Sequence, residues 1–144
     1  MFWNIEGNKS PLKLNSDLEE YGILSLVETM STEELRLQNI TKINIPAVKM
    51  PKGRPKGGIT IALHQRVNDS MIKIASTEHL LAIKMEHSKA NLIIAYFPPK
   101  YEIEEMTNEI TDIIPKANLE NDTILIGDFN CRLDKTDERT RQEY

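Results

Sequence analysis

Four side chains with hard oxygen donors stand at the ends of apolar runs far apart in the chain. They are Asn4 in "FWNIEG", Glu28 closing "GILSLVE", and Asp128 with Asn130 in "TILIGDFN". Carboxylates and amides, with no cysteine–histidine cluster at zinc spacing, suit a magnesium ion, which takes a few oxygen ligands and retains several waters. Beside a phosphate, such an ion polarises a phosphoryl oxygen and offsets charge developing on the leaving oxygen. This chemistry requires three separate strand ends to converge at one rim of a core. The competing reading of each stretch is a strand that runs into a polar turn, and spacing alone does not choose between them.

The elements that must position these groups are legible from periodicity and punctuation. Phe2 to Ile5 forms a short strand stopped by Gly7, and Ser10-Pro11 opens a helix running towards Tyr21. Gly22 to Glu28 is a strand, and "STEE", Ser31 to Glu34, predicts a brief helical turn. Asn44 to Gly58 is a loop punctuated by Pro46, Pro51 and Pro55. Gly58 to Gln65 and Met71 to Ser76 are strands, and His79 to Phe97 is a hairpin turning near Ser88 to Ala90. Tyr101 to Ile114 is the strongest helix, with Ile103, Met106, Ile110 and Ile113 on one face and Pro115 ending it. The run Thr123 to Gly127 then forms a buried strand that delivers Asp128. Strands outnumber helices, and adjacent strands pair as antiparallel hairpins. The pattern predicts an α+β fold, a layered sandwich flanked by helices, rather than a doubly wound parallel sheet.

Composition bounds the partners. The chain has 144 residues, 40% hydrophobic and 28% charged, which suits one domain around one core. A net charge of -4 argues against holding nucleic acid by overall charge, although local clusters can still grip phosphates. One such cluster is "KMPKGRPKGG", with Lys49, Lys52, Arg54 and Lys56 in a loop that either contacts DNA phosphates or is a solvated charged loop. The same stretch falls short of a phosphate-binding P-loop, because Ile59 stands where that motif needs lysine. The single cysteine, Cys131, forms no internal disulfide and is expected to be a small half-buried side chain. No apolar run reaches the roughly 18 residues a membrane span needs. Without a signal-peptide pattern at "MFWNIEGNKS", the expectation is an intracellular protein, nuclear or cytoplasmic.

Taken in order, "FWNIEG", "LSLVETM", "KGGITIAL", "IIAYFPPK" and "ILIGDFNCRL" resemble the endonuclease/exonuclease/phosphatase superfamily, and within it the apurinic-type endonuclease domain of non-LTR retrotransposons. The resemblance runs from residue 2 to about residue 135. It implies a two-layer β-sandwich flanked by helices that cleaves phosphodiesters, with DNA as substrate and Mg2+ or Mn2+ as cofactor. By resemblance Glu28 and Asn4 serve the metal, Asp128 positions or activates the attacking water, and Asn130 steadies the phosphate. Tyr96, in "AYFPP", faces the scissile phosphate by the same resemblance. Lys52, Arg54 and Lys56 are the candidate nucleic-acid contacts.

The departure from the family pattern lies in its second half, where further strands and a Ser-Asp-His motif belong. His64, His79 and His87 all precede Asp128, so none fills that motif. Residues 1–144 are therefore expected to be the N-terminal portion of a single domain with an incomplete second half. Its uncovered sheet would expose apolar faces or edges through which the chain could associate. Two alternatives stand beside the endonuclease: a catalytically silent remnant that binds metal, nucleic acid or protein, and a phosphoesterase acting on another phosphoester.

Overall fold

Runs of β-branched residues build two four-stranded sheets, described over residues 1–7, 10–117 and 121–131 in a computed structural model. The first sheet holds β1 (Phe2–Asn4), β2 (Ile23–Val27), β3 (Ile40–Ile45) and β4 (Ile59–His64), in the order β1-β2-β4-β3. The second holds β5 (Met71–Ser76), β6 (Leu80–Met85), β7 (Ala90–Tyr96) and β8 (Asp122–Asp128), side by side in chain order. Most pairs are antiparallel, but β1 lies parallel to β2 and β8 parallel to β7. Parallel neighbours need a long crossover. Helix α1 (Pro11–Tyr21) supplies the first and helix α2 (Ile103–Ile113) the second. Arg132 and Leu133 of the last motif lie outside the described residues.

The central strands are buried on both faces, which is why "ILSLV", "ITIALH" and "LLAIKM" read as nearly continuous apolar runs. Val27, Ile59, Ile61 and Leu63 pack against Leu81, Ile83, Ile94 and Tyr96 between the sheets. Leu14 and Leu18 of α1 cover Leu24, Leu26 and Ala62 on the outer face of the first sheet. Met106 and Ile113 of α2 cover Leu80, Ala82, Ile93 and Phe97 on the outer face of the second. The result is the expected α+β sandwich with a helix on each outside face. Among the described residues no helix is long and apolar enough to cross a membrane.

Four local expectations give way. The predicted loop from Asn44 loses its first two residues to β3, an outer strand whose register on β4 is reinforced by the Thr60 hydroxyl donating to Asn44 Oδ1 at 2.6 Å. In "ITKINI" the alternation is short, with only Ile43 and Ile45 turned to the core between the sheets beside polar Lys42 and Asn44, and Pro46 follows directly. "STEE" forms no helical turn, because the Ser31 hydroxyl donates to the Glu33 carbonyl at 2.7 Å instead of capping a helix. Pro115 does not stop the second helix outright but sits within a 3-10 turn, Ile114–Lys116. Finally, β8 is not buried: it is the outer strand, and Ile124, Leu125 and Ile126 are 52%, 40% and 36% exposed. That exposure is the open apolar surface expected of an uncovered sheet.

β8 nevertheless sits unusually close to β7. At Gly127, paired with Ala95, an added Cβ would lie 2.4 Å from the Ala95 carbonyl oxygen and 2.6 Å from its Cβ. Gly127 thus sets how near the strand ending in Asp128 can approach. Gly127→Ala is expected to lower unfolding free energy by about 1–3 kcal/mol, the usual cost of overpacking, as measured by urea denaturation. Unchanged stability would show that β8 has room to move outward.

Candidate functional site

The ends of the two parallel outer strands meet. Asn4 closes β1 and Asp128 closes β8, and the Asn4 Nδ2 donates to Asp128 Oδ2 at 2.8 Å across 124 positions of sequence. The other carboxylate oxygen, Oδ1, accepts the Asn130 backbone N–H at 3.2 Å. The Asn130 Nδ2 in turn donates to the Phe97 carbonyl at 2.9 Å, just beyond the end of β7. Asp128 is therefore fixed from both sides, and each of its oxygens keeps a lone pair for another donor. Asn4 Oδ1 accepts the Glu6 N–H at 3.1 Å, also with a lone pair to spare.

Glu28 joins from β2. The Gly7 N–H donates to its carbonyl at 2.9 Å, tying the tail of β1 to the end of β2. Its carboxylate lies close enough to the Tyr96 hydroxyl to help hold that group's proton. A cavity of about 400 Å³ is lined by Asn4, Glu6, Glu28, Met30, Arg54, Tyr96, Pro99, Asp128 and Asn130. All five residues singled out for catalysis or metal line this one space.

The basic loop reaches the same place by a different route. Val48 and Lys56 form a bridge with reciprocal hydrogen bonds of 2.9 and 3.0 Å, so residues 49–55 form a tip. Its base is stitched to the segment after Glu28: Met30 N–H donates to the Gly57 carbonyl at 2.9 Å and Thr29 N–H to the Gly58 carbonyl at 3.3 Å. Gly58 has φ +91, and a Cβ there would fall 2.2 Å from Thr29 Oγ1. Only glycine fits this crossing. Lys52, Arg54 and Lys56 line an adjoining cavity of about 530 Å³ that shares Glu28, Met30, Tyr96, Arg54 and Pro99 with the first. Lys49 lines neither.

The site concentrates negative charge. Burial pushes the Tyr96 hydroxyl well above the ordinary phenol range, and the nearby carboxylates of Glu28, Asp128 and Glu6 push it further. Tyr96 is therefore a neutral donor throughout the physiological range. Backbone strain gathers here too. Glu6, Glu28, Met30 and Asn130 all have positive φ, at 46°, 54°, 49° and 46°, and all four line the smaller cavity. Such conformations cost non-glycine residues of order 1 kcal/mol each and persist where surrounding contacts enforce them.

This donor set fits a hard divalent cation. The cavity offers carboxylates and amide oxygens, and it carries excess anionic charge that a cation would offset. Among the described residues no group of three or more His, Cys, Asp or Glu side chains could hold a metal by itself. A few protein oxygens supplemented by water is the pattern magnesium tolerates and zinc does not.

Two residues of this region carried no weight in the sequence. Glu6 stands two positions after Asn4, and only its positive φ turns it into the cavity rim. His79 lines the larger cavity, and its partner, Glu109, is 30 positions away. Cys131, expected to be half-buried, is exposed, because the outer strand leaves the chain uncovered after Asn130.

No protein-family model matches the chain, and no curated protein does. Solved structures do match. The endonuclease domain of TRAS1, a telomere-specific non-LTR retrotransposon, superposes with a TM-score of 0.66 at 17% identity, covering 92% of this chain and 60% of that one. An AP endonuclease from Archaeoglobus fulgidus gives 0.52 at 14% identity, covering 90% and 55%. A 3'-5' exonuclease from Neisseria meningitidis gives 0.55 at 16% identity, covering 90% and 56%. The chain thus has the endonuclease/exonuclease/phosphatase fold and spans 55–60% of the length of these structures.

The state of Tyr96 is open to direct measurement. Replacing it with phenylalanine should leave the tyrosine absorbance titration between about pH 9 and 11 unchanged, since its proton is held beyond that range. Loss of an ordinary titration step in that variant would mean that Tyr96 is neither buried nor held by Glu28.

Proposed function

We propose that this chain is the N-terminal portion of a divalent-metal-dependent phosphodiester hydrolase that cleaves DNA, an endonuclease of the kind carried by non-LTR retrotransposons. The observation that carries the proposal is the hydrogen bond from Asn4 to Asp128, which brings two strand ends together in a cavity that also holds Glu28, Tyr96 and Asn130. The fold supports it, as does the likeness to the TRAS1 domain, a retrotransposon endonuclease.

Glu28 and the Asn4 Oδ1 would hold Mg2+ or Mn2+. When bound, the ion supplies polarisation of a phosphoryl oxygen and stabilisation of the leaving oxygen. The chain's own residues then divide the remaining work. Asp128, held by Asn4 and Asn130, orients a water for in-line attack on phosphorus and takes up its proton. A new P–O bond forms as the bond to the leaving oxygen breaks. The Tyr96 hydroxyl would turn its one proton from Glu28 to a non-bridging oxygen once that carboxylate serves the ion, and the second amide N–H of Asn130 would donate beside it, where charge grows in the transition state. Lys52, Arg54 and Lys56 contact phosphates of the strand and contribute affinity that falls with salt.

Nicking of supercoiled plasmid in Mg2+ tests this. Asp128→Ala and Glu28→Ala should each abolish it, and Tyr96→Phe should lower kcat by about a hundredfold. Undiminished nicking by Asp128→Ala would refute the assignment. DNA binding without nicking would identify a silent binding module, and cleavage of a small phosphoester with DNA ignored would move the substrate elsewhere in the superfamily. Replacing Lys52, Arg54 and Lys56 together by alanine should flatten the salt dependence of DNA affinity by up to about 0.9 log unit per lost phosphate contact. An unchanged slope would remove the loop from the interface.

A further inference from the structure

His79 stands at the start of β6 opposite Tyr96, whose N–H donates to the His79 carbonyl at 2.9 Å. The imidazole side chain is only 15% exposed. It packs against two aromatic rings that also touch each other: Phe97 at 5.5 Å between centroids and 26° between planes, and Tyr101 at 4.6 Å and 58°. Its Nδ1 is 3.0 Å from Glu109 Oε1 on α2. Glu109 is itself fixed, accepting the Tyr101 hydroxyl at Oε1 and the Thr77 hydroxyl at Oε2, the latter at 2.8 Å. Burial alone would raise the Glu109 carboxyl, but bonds from Tyr101, Thr77 and His79 outweigh it and hold the group below its usual range. Glu109 is thus an ionised acceptor that commits Nδ1 to carrying a proton.

Only the other ring nitrogen is left to act. Nε2 has no hydrogen-bond partner among the described residues, and it is not sealed away from solvent. His79 lines the 530 Å³ cavity together with Tyr96, Glu28, Lys52, Arg54 and Lys56. Glu78 also lines it, so the basic loop and His79 must act against two carboxylates, one of which faces the candidate cation. An imidazole fixed through Nδ1 by an ionised carboxylate, with no partner at Nε2 among the described residues and cationic side chains lining the same cavity, is suited to an anionic oxygen ligand.

The geometry points to a second phosphate position: His79 Nε2 and the basic loop bind the phosphodiester adjacent to the scissile one, with Glu109 as the positioning residue for the imidazole. This rests on reading the smaller cavity as a phosphodiester site, and it assigns the larger cavity to the same strand. The two spaces share Glu28, Tyr96 and Arg54, so a strand passing from one to the other needs no turn around the rim.

The test is binding of a single-stranded oligodeoxynucleotide in EDTA, where neither metal nor turnover is needed. His79→Phe keeps a ring against Phe97 and Tyr101 but has no N–H, and it should weaken the Kd roughly tenfold, the scale of one hydrogen bond to a charged group. His79→Gln, which restores a donor, should recover most of that loss. In the nicking assay the loss should fall on KM rather than kcat. Should His79→Phe unfold, the 15N shift of wild-type Nε2 decides: movement on adding oligonucleotide supports the subsite, and no movement overturns it. A response to inorganic phosphate with none to the oligonucleotide would overturn the strand assignment. Nicking with an unchanged KM in a folded His79→Phe would overturn this subsite while leaving the hydrolase intact. Oligonucleotide binding that depends on His79 without any nicking would sustain the subsite and fail the hydrolase.

Discussion

One hydrogen bond joins the two halves of the sandwich where the chemistry would occur. Asn4 ends the outer strand of the first sheet and Asp128 ends the outer strand of the second, and their 2.8 Å contact spans 124 positions. Outer strands are the least constrained part of any sheet, since only one edge is paired. Here each is pinned by a parallel neighbour, and β8 is further set by the glycine that lets it close on Ala95. A bond to an ionised acceptor is worth about 1.5–3 kcal/mol, enough to hold two strand ends in register. The Asp128 carboxylate is thereby positioned by the packing of both sheets.

The same arrangement is electrostatically expensive. Glu6, Glu28 and Asp128 surround Tyr96 closely enough to hold its proton, and four cavity-lining residues carry strained backbone. Nothing in folding rewards anionic groups drawn together at a partly buried rim, whereas a bound cation would. The stitching of the basic loop onto the segment after Glu28 brings Arg54 to the edge of the anionic cluster and keeps Lys52 and Lys56 in the adjoining cavity. A polyanion threaded between the two would meet cations on one side and aimed donors on the other.

Much of this was legible in the sequence because burial writes itself as pattern. The face of α2 was visible in Ile103, Met106, Ile110 and Ile113, and the central strands in their unbroken apolar runs. Asn4, Glu28 and Asp128 stood out because each interrupts such a run. Their convergence was not visible, since it depends on two crossovers and the stacking of two sheets. β3 was missed as an outer strand with little to bury, and β8 was misjudged because an apolar run does not distinguish a central strand from an outer one. The proline and glycine punctuation announced a loop at Asn44 to Gly58 but not its attachment beside Glu28. His79 had no local signal at all: its partner sits on a helix 30 positions away, and only the folded chain makes them a pair.

The central claim is that Glu28 and Asn4, whose strand ends meet beside Asp128, would hold one cation between them. It is tested most directly by a double-mutant cycle on Mg2+ affinity, measured by calorimetry for the intact chain, Glu28→Gln, Asn4→Ala and the pair. A shared site predicts that each single change weakens binding and that the two effects fail to add by more than about 1 kcal/mol. Additive effects, or Mg2+ affinity indifferent to either change, would contradict it.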